Sequence, residues 1–145
     1  MISNELHTIL RTVNFDQRYR VLFEKHNHKN LFKNADLKEV CKHLQILGYN
    51  SSVNKTEKFI RVQTDHASVT VNIALTAGVV EIILNLKQGR EIEGGPLGYL
   101  YSQLSGEERN LKPRFSSYQE LEEILVECFS LVEEIKNEWI NVKVK

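Results

Sequence analysis

The clearest hydrophobic pattern lies between residues 118 and 140, where apolar side chains recur every three or four positions. At about 100° per residue, this spacing puts them on one side of an α-helix. Ser117 and Glu120 have the spacing of a capping box, in which each side chain satisfies a backbone N–H at the helix start. The apolar side chains of this predicted helix are Leu121, Ile124, Leu125, Cys128, Val132, Ile135 and Trp139.

Another side of the same predicted helix is acidic, because five glutamates fall within a sector of roughly 60°. Like charges three or four residues apart repel one another, so such a row costs stability. We interpret it as a surface for a basic partner; the alternative is that it pairs within the fold with Lys29, Lys33 and their neighbours. The five residues are Glu120, Glu123, Glu127, Glu134 and Glu138.

Helices are also predicted before residue 48. Ser3 and Asp36 are suited to cap two of them, and Gly48 has the place of a left-handed residue that ends the second. The segment 15–26 between them fits both an amphipathic helix and a strand, and we favour the helix.

Strands are predicted at residues 49–53, 58–64, 69–75 and 79–86, which are rich in Val, Ile and Thr and separated by turn residues. Residues 79–84 are apolar on both faces, as in a central strand or in one whose outer face meets a partner. The next segment, 87–98, is a predicted glycine-rich connection.

This order of elements predicts an α+β fold in two layers. An antiparallel meander of about four strands packs against the N-terminal helices and the long C-terminal helix, with a short helix at residues 97–104. We expect one domain over residues 1–145.

Composition agrees with a single globular domain, since 41% of the 145 residues are hydrophobic and 26% are charged. No apolar run approaches the roughly 20 residues that cross a bilayer, and the chain does not open on a secretory signal pattern, so we expect no membrane partner. Cys41 and Cys128 occupy apolar helical positions, which predicts two buried thiols, no disulfide and a cytoplasmic location.

Net charge is zero, which argues against nucleic-acid binding because that function needs a basic excess. The balance conceals a gradient. Residues 1–45 hold eight basic and five acidic side chains, whereas residues 115–140 hold seven glutamates and one lysine. The gradient fits either a charged partner surface or two ends that neutralise each other.

Histidines 26 and 28 could begin a metal site if Asp36, Glu39 or His43 joined them. No zinc-binding spacing supports this, so we interpret the segment as a solvated loop and expect no metal.

Gly89 and Gly94 have the spacing of phosphate-loop glycines, but Gly95 stands where the lysine belongs, and Glu91 and Glu93 would repel phosphate. We therefore expect no nucleotide and no other cofactor. The glycines instead favour a tight turn or a close backbone approach. No serine or cysteine motif indicates nucleophilic catalysis, so no catalytic residue is predicted.

Tyr99 and Tyr101 follow these glycines. Aromatic side chains beside flexible loops are favoured at interfaces, and they are as often part of the core. Both interpretations stay open, and both tyrosines are candidate partner contacts.

The overall pattern resembles the small single-domain immunity proteins of bacterial polymorphic toxin systems. What matches is the chain length, the meander between helices, and the segment from Gly94-Gly95-Pro96 to the long acidic helix after Pro113. The resemblance implies a non-enzymatic cytoplasmic protein that binds a basic toxin domain through an acidic face. No motif in it assigns binding residues. The alternatives are a secretion-type chaperone or adaptor, which binds its client through a sheet face or as a homodimer, and a small enzyme.

Overall fold

A computed structural model describes residues 2–27 and 29–144. Within this part of the chain, three helices come first, then five strands, then two helices and a π-helical turn, Ile140–Val144. The helices are α1 (Asn4–Thr12), α2 (Phe15–Lys25), α3 (Leu37–Ile46), α4 (Leu97–Ser105) and α5 (Tyr118–Trp139). The strands are β1 (Asn50–Asn54), β2 (Phe59–Gln63), β3 (Val69–Thr76), β4 (Val79–Gln88) and β5 (Glu91–Pro96). The predicted α+β class is confirmed, and segment 15–26 forms a helix as favoured.

The strands form one open antiparallel sheet whose spatial order, β1-β2-β3-β4-β5, is also their order along the chain. Alternate residues of β3 and β4 are fully buried on one face, and the residues between them are only half-buried. Val71 lies opposite Leu84 and Ile73 opposite Ile82, so apolar rows run across the buried face. β4 lies between β3 and β5, so the sheet flanks it on both sides, and the residues of its outer face are half-buried as far as Asn85.

The helices bury the inner face of the sheet, and α5 contributes most to this layer. Its apolar stripe is completely buried, from Leu121 to Trp139. The predicted caps form: the hydroxyls of Ser3 and Ser117 accept from backbone N–H groups three residues later at 3.1 Å, and the carboxylate of Asp36 accepts from one two residues later at 2.9 Å. None of the described helices is both long and apolar enough to cross a membrane.

β5 lies where a glycine-rich connection was predicted. Residues 83–88 of β4 pair with it in register, with Leu84 opposite Gly95 and Asn85 opposite Gly94. Gly94 has φ +109°, and a Cβ added there would lie 2.2 Å from the carbonyl oxygen of Leu84. The expected close approach of the backbone is therefore real, and the expected connection was wrong because the glycines serve a strand rather than a loop.

Two irregular segments, before α3 and before α5, are joined to each other and to the start of β4. The N–H of Phe32 donates to the carbonyl of Phe115 at 3.0 Å, and the N–H of Arg114 donates to the carbonyl of His26 at 2.7 Å. Phe115 in turn donates to the carbonyl of Gly78 at 3.0 Å. We call these contacts the loop tie; they close the end of the sandwich at which α5 begins.

Candidate partner-binding face

Glu120 does not belong to an exposed acidic row, because only 9% of it is accessible to solvent. Its Oε1 accepts hydrogen bonds from the backbone N–H of Ser116 at 2.7 Å and from the hydroxyl of the same residue at 3.0 Å. Its Oε2 lies 3.0 Å from Nδ1 of His26. The expectation of exposure was wrong because the loop tie covers the first turn of α5. The capping box is also modified, since this carboxylate bonds the N–H of Ser116 rather than that of Ser117.

His26 and Glu120 are residue types that occur in acid–base sites, but here they form a buried contact between two segments of the fold. The side chain of His26 is only 2% exposed, and its Nε2 is buried without a hydrogen-bond partner among the described residues. Nucleophilic catalysis would need a hydroxyl or thiol against that nitrogen. The hydroxyl of Ser116 donates to the carboxylate of Glu120 at 3.0 Å instead, and no described hydroxyl or thiol bonds this nitrogen.

Glu134 is exposed but paired within the fold. Its carboxylate lies 2.7 Å from the guanidinium of Arg18 on α2, with both side chains partly open to solvent. Glu138, the last of the predicted row, is half-buried and makes no ion pair with a described residue. For Glu134 the internal-pairing alternative therefore holds, although its partner is neither Lys29 nor Lys33.

Glu123 and Glu127 are the two carboxylates of the row that are exposed and make no ion pair with any described residue. They lie one turn apart on α5 with Val126, which is 45% exposed, between them. We call these three side chains the α5 acidic face. They line a shallow depression of about 440 Å³ together with Lys25, Gln119 and Glu122.

Glutamates on the flank of α5 pair elsewhere. Glu122 lies 3.1 Å from Nδ1 of His43 on α3. Glu133 accepts a hydrogen bond from the hydroxyl of Tyr49 at 2.9 Å and another from Lys136. These contacts fasten α5 to α3 and to the start of β1. Among the described residues, the exposed carboxylates of α5 that make no ion pair are the two of the α5 acidic face.

Lys136 has a buried ammonium group between two carboxylates. Its side chain is 4% exposed and donates to Asp65 and Glu133. Burial lowers the pKa of Lys136, but these two hydrogen bonds outweigh it and hold that pKa above its ordinary value. The same contact holds the pKa of Asp65 below its usual range. One ammonium against two carboxylates leaves the cluster with a net negative charge, which lies mainly on the exposed carboxylate of Asp65.

The two candidate tyrosines have different surroundings. Tyr101 is 4% exposed, and its hydroxyl donates to Glu107 at 2.6 Å and accepts from Arg20 at 3.0 Å. Tyr101 is therefore part of the core, and its interpretation as a partner contact was wrong. Tyr99 is half-buried, and its ring lies 3.4 Å from where a Cβ on Gly95 would be.

The predicted thiols differ as well. Cys128 is buried, and burial raises its pKa strongly. Cys41 is only half-buried, so the expectation that both thiols are inaccessible was wrong for it. In residues 2–27 and 29–144, no three His, Cys, Asp or Glu side chains converge to hold a metal ion, and His28 of the considered histidine pair lies outside the described residues.

The comparisons with known proteins found no match: no protein-family model fits this chain, and no curated protein and no solved structure is significantly similar to it.

Proposed function

We propose that the chain is a non-enzymatic protein-binding module that neutralises a basic toxin domain, as bacterial immunity proteins do. The observation that carries the proposal is the α5 acidic face, where Glu123 and Glu127 are exposed and make no ion pair with any described residue. Four other carboxylates of α5 are engaged within the fold, and Glu138 is half-buried; the four are those of Glu120, Glu122, Glu133 and Glu134. Two unpaired like charges one turn apart cost a few tenths of a kcal/mol, and a basic partner would remove that cost.

The chemistry of the face fits such a partner. Val126 supplies an apolar centre with a carboxylate on either side, which resembles the arrangement of interfaces, where an apolar contact is surrounded by polar groups. Carboxylates that face a basic surface increase the association rate and lose this effect as salt screens the charges. We place the protein in the cytoplasm, where the free thiols of Cys41 and Cys128 stay reduced.

The first test is capture of the partner from the native host with the tagged full chain, followed by identification of the bound protein. The proposal expects a basic domain whose toxicity the chain suppresses when both are expressed. A secreted client without a basic surface would favour the chaperone or adaptor function instead.

The second test reverses the α5 acidic face with the double substitution Glu123→Lys and Glu127→Lys. Association with the captured partner should slow by about tenfold or more at low salt, and the difference should shrink as salt is added. Stability should change by less than about 0.5 kcal/mol, because both side chains are exposed and neither makes an ion pair with a residue that the structure describes. Stopped-flow association and thermal unfolding measure the two quantities on the same variant.

The matched control is the double substitution Glu57→Lys and Glu108→Lys, which makes the same change in net charge at two other exposed positions. It should leave the association rate close to that of the natural chain. If both double variants slow association equally, net charge rather than the α5 acidic face guides the partner. If neither does, the partner binds elsewhere.

A further inference from the structure

The two edges of the sheet are unequally protected against pairing with another strand. The β5 edge carries Glu91, Glu93 and Pro96, and its glycines bend the backbone. Arg114 of the loop tie pairs with Val79 and continues that edge beside the start of β4. Charged side chains, proline and irregular backbone are what natural sheets use to prevent association through an edge.

The β1 edge has none of these features. Its sequence, Asn50-Ser51-Ser52-Val53-Asn54, contains no charge and no proline, and each residue pairs in regular register with β2. Apart from β2, no described residue exchanges a backbone hydrogen bond with residues 50–53. One side of the β1 backbone therefore presents unused N–H and C=O groups.

Space for another strand lies on both sides of this edge. Towards α3, a depression of about 270 Å³ is lined by Cys41, Lys42, Gln45, Tyr49, Asn50 and Ser51. On the outer face, a second depression of about 170 Å³ is lined by Asn50, Ser51, Ser52, Arg61 and Gln63. The two depressions reach residues 50–52 of β1 from both faces, and the first of them separates this strand from the surface of α3.

We propose that the occupant of this edge is a second copy of the chain, paired antiparallel through β1 about a two-fold axis at Ser52. Antiparallel pairing of identical strands satisfies such an axis, and each strand then uses its free backbone groups. The two sheets join into one of ten strands.

The side chains around the edge are complementary to their own copies. Facing pairs along the two β1 strands contain only Asn, Ser and Val, so no like charges meet. The neighbouring surface of α3 carries charges of opposite sign, Glu39 and Lys42, and Ile46, which is 77% exposed. Because Glu39 and Lys42 pair with each other at 3.4 Å within α3, two copies of α3 brought together by the axis meet there without net charge and offer one another an apolar contact. A strongly charged partner would find no side chain of opposite charge on β1.

The test is the oligomeric state of the full chain by sedimentation over a range of concentrations. We expect a monomer–dimer equilibrium in the micromolar range. The substitution Ser52→Lys puts two like charges opposite each other at the axis and should weaken dimerisation by about tenfold or more. The control Ile92→Lys adds the same charge at an exposed position of the β5 edge and should leave the dimer intact.

A second variant tests the dimer by the gain of a covalent cross-link rather than by a loss of association. In a Cys41→Ser background, Ser52→Cys should form a disulfide with its own copy under mild oxidation. The axis puts the two Cβ atoms directly opposite each other, and the lower end of the range of about 4.5–5.5 Å for such pairs meets the upper end of the range of about 3.5–4.5 Å in disulfides. Asn54→Cys, which the axis pairs with Asn50, should cross-link much less. A chain that stays monomeric up to millimolar concentration, or a dimer that Ser52→Lys leaves unchanged, would overturn the proposal, and so would a β1 edge filled by the captured toxin alone.

Discussion

At the scale of single residues, Glu120 carries more of the fold than its sequence position indicates. One of its oxygens holds the backbone and hydroxyl of Ser116, and the other meets His26, 94 residues away in the chain. Helical periodicity places Glu120 and Glu127 on the same side of the helix, so it cannot predict that the first is buried and the second exposed. Their exposure differs because of tertiary contacts, since the loop tie covers only the first turn of α5.

We expect Glu120→Ala to destabilise the domain by about 2–4 kcal/mol, because it leaves the buried imidazole of His26 without its carboxylate partner and removes the acceptor of two hydrogen bonds from Ser116. Ser117→Ala, which removes the N-cap of the same helix, should cost only about 1 kcal/mol. Urea unfolding of both variants gives the comparison. Equal losses would mean that Glu120 acts as an ordinary capping residue and that its buried contacts contribute little.

At the scale of elements, the β3–β4 hairpin shows a conflict between local geometry and residue type. Thr76 pairs with Val79, so Ala77 and Gly78 form a two-residue turn, and their φ angles are +52° and +85°. Two positive φ values are those of a type I′ turn, which favours Asn-Gly. Ala77 therefore occupies a left-handed conformation that its Cβ disfavours.

Replacing the exposed Ala77 with asparagine should stabilise the domain by about 0.5–1 kcal/mol, since asparagine tolerates this conformation better. Gly78→Ala, one residue later, should do the reverse and cost more than about 2 kcal/mol. Its added Cβ would lie 2.6 Å from the Cβ of Leu31. Thermal unfolding of the two single variants measures both effects, and a neutral Ala77→Asn would show that the turn carries no strain to relieve.

The elements that the sequence predicts well are those with a strong local signal. The caps at Ser3, Asp36 and Ser117 and the alternation in β3 are local patterns, and the structure contains each of them. β5 was missed because Gly94 and Gly95 are poor strand residues, and only the close approach to Leu84 explains their presence. Likewise no local pattern marks the partner of His26, since that contact depends on the whole fold.

At the scale of the whole molecule, ion pairs and charged hydrogen bonds connect segments that are distant in the chain. Lys136 of α5 holds Asp65 between β2 and β3, and Glu107 accepts from Tyr101 of α4 and from Arg20 of α2. Hydrogen bonds from Tyr101 and Arg109 hold the pKa of Glu107 below its usual range, as the contact with Lys136 does for Asp65. These carboxylates therefore couple the stability of the molecule to pH.

The sign of the coupling follows from the direction of the shifts. A carboxyl whose pKa is lower in the folded state contributes stability above its unfolded pKa and loses it as pH falls through the folded one. We expect the urea concentration at the midpoint of unfolding to decrease as the pH falls below about 4. Glu107→Gln should make this decrease shallower. Glu108→Gln, at an exposed neighbour without an ion pair, is the control; equal pH profiles for the two variants would exclude a role for the Glu107 contacts.

The position of the loop tie in the chain has a consequence for folding kinetics. Strands adjacent in the sheet are adjacent in sequence and need only short loop closures, whereas the loop tie joins Phe32 to Phe115 across most of the fold. Our hypothesis is that the sheet is formed in the transition state and that the tie closes later. The kinetic φ value is the change in folding activation free energy divided by the change in the free energy of unfolding. Conservative truncation at Val71 should give a φ value of about 0.5–0.8, and truncation at Phe115 a φ value near zero. Weakening the tie would leave the folding rate unchanged and shorten the lifetime of the native state, so the contacts that cover the start of α5 would set how long the protein stays folded.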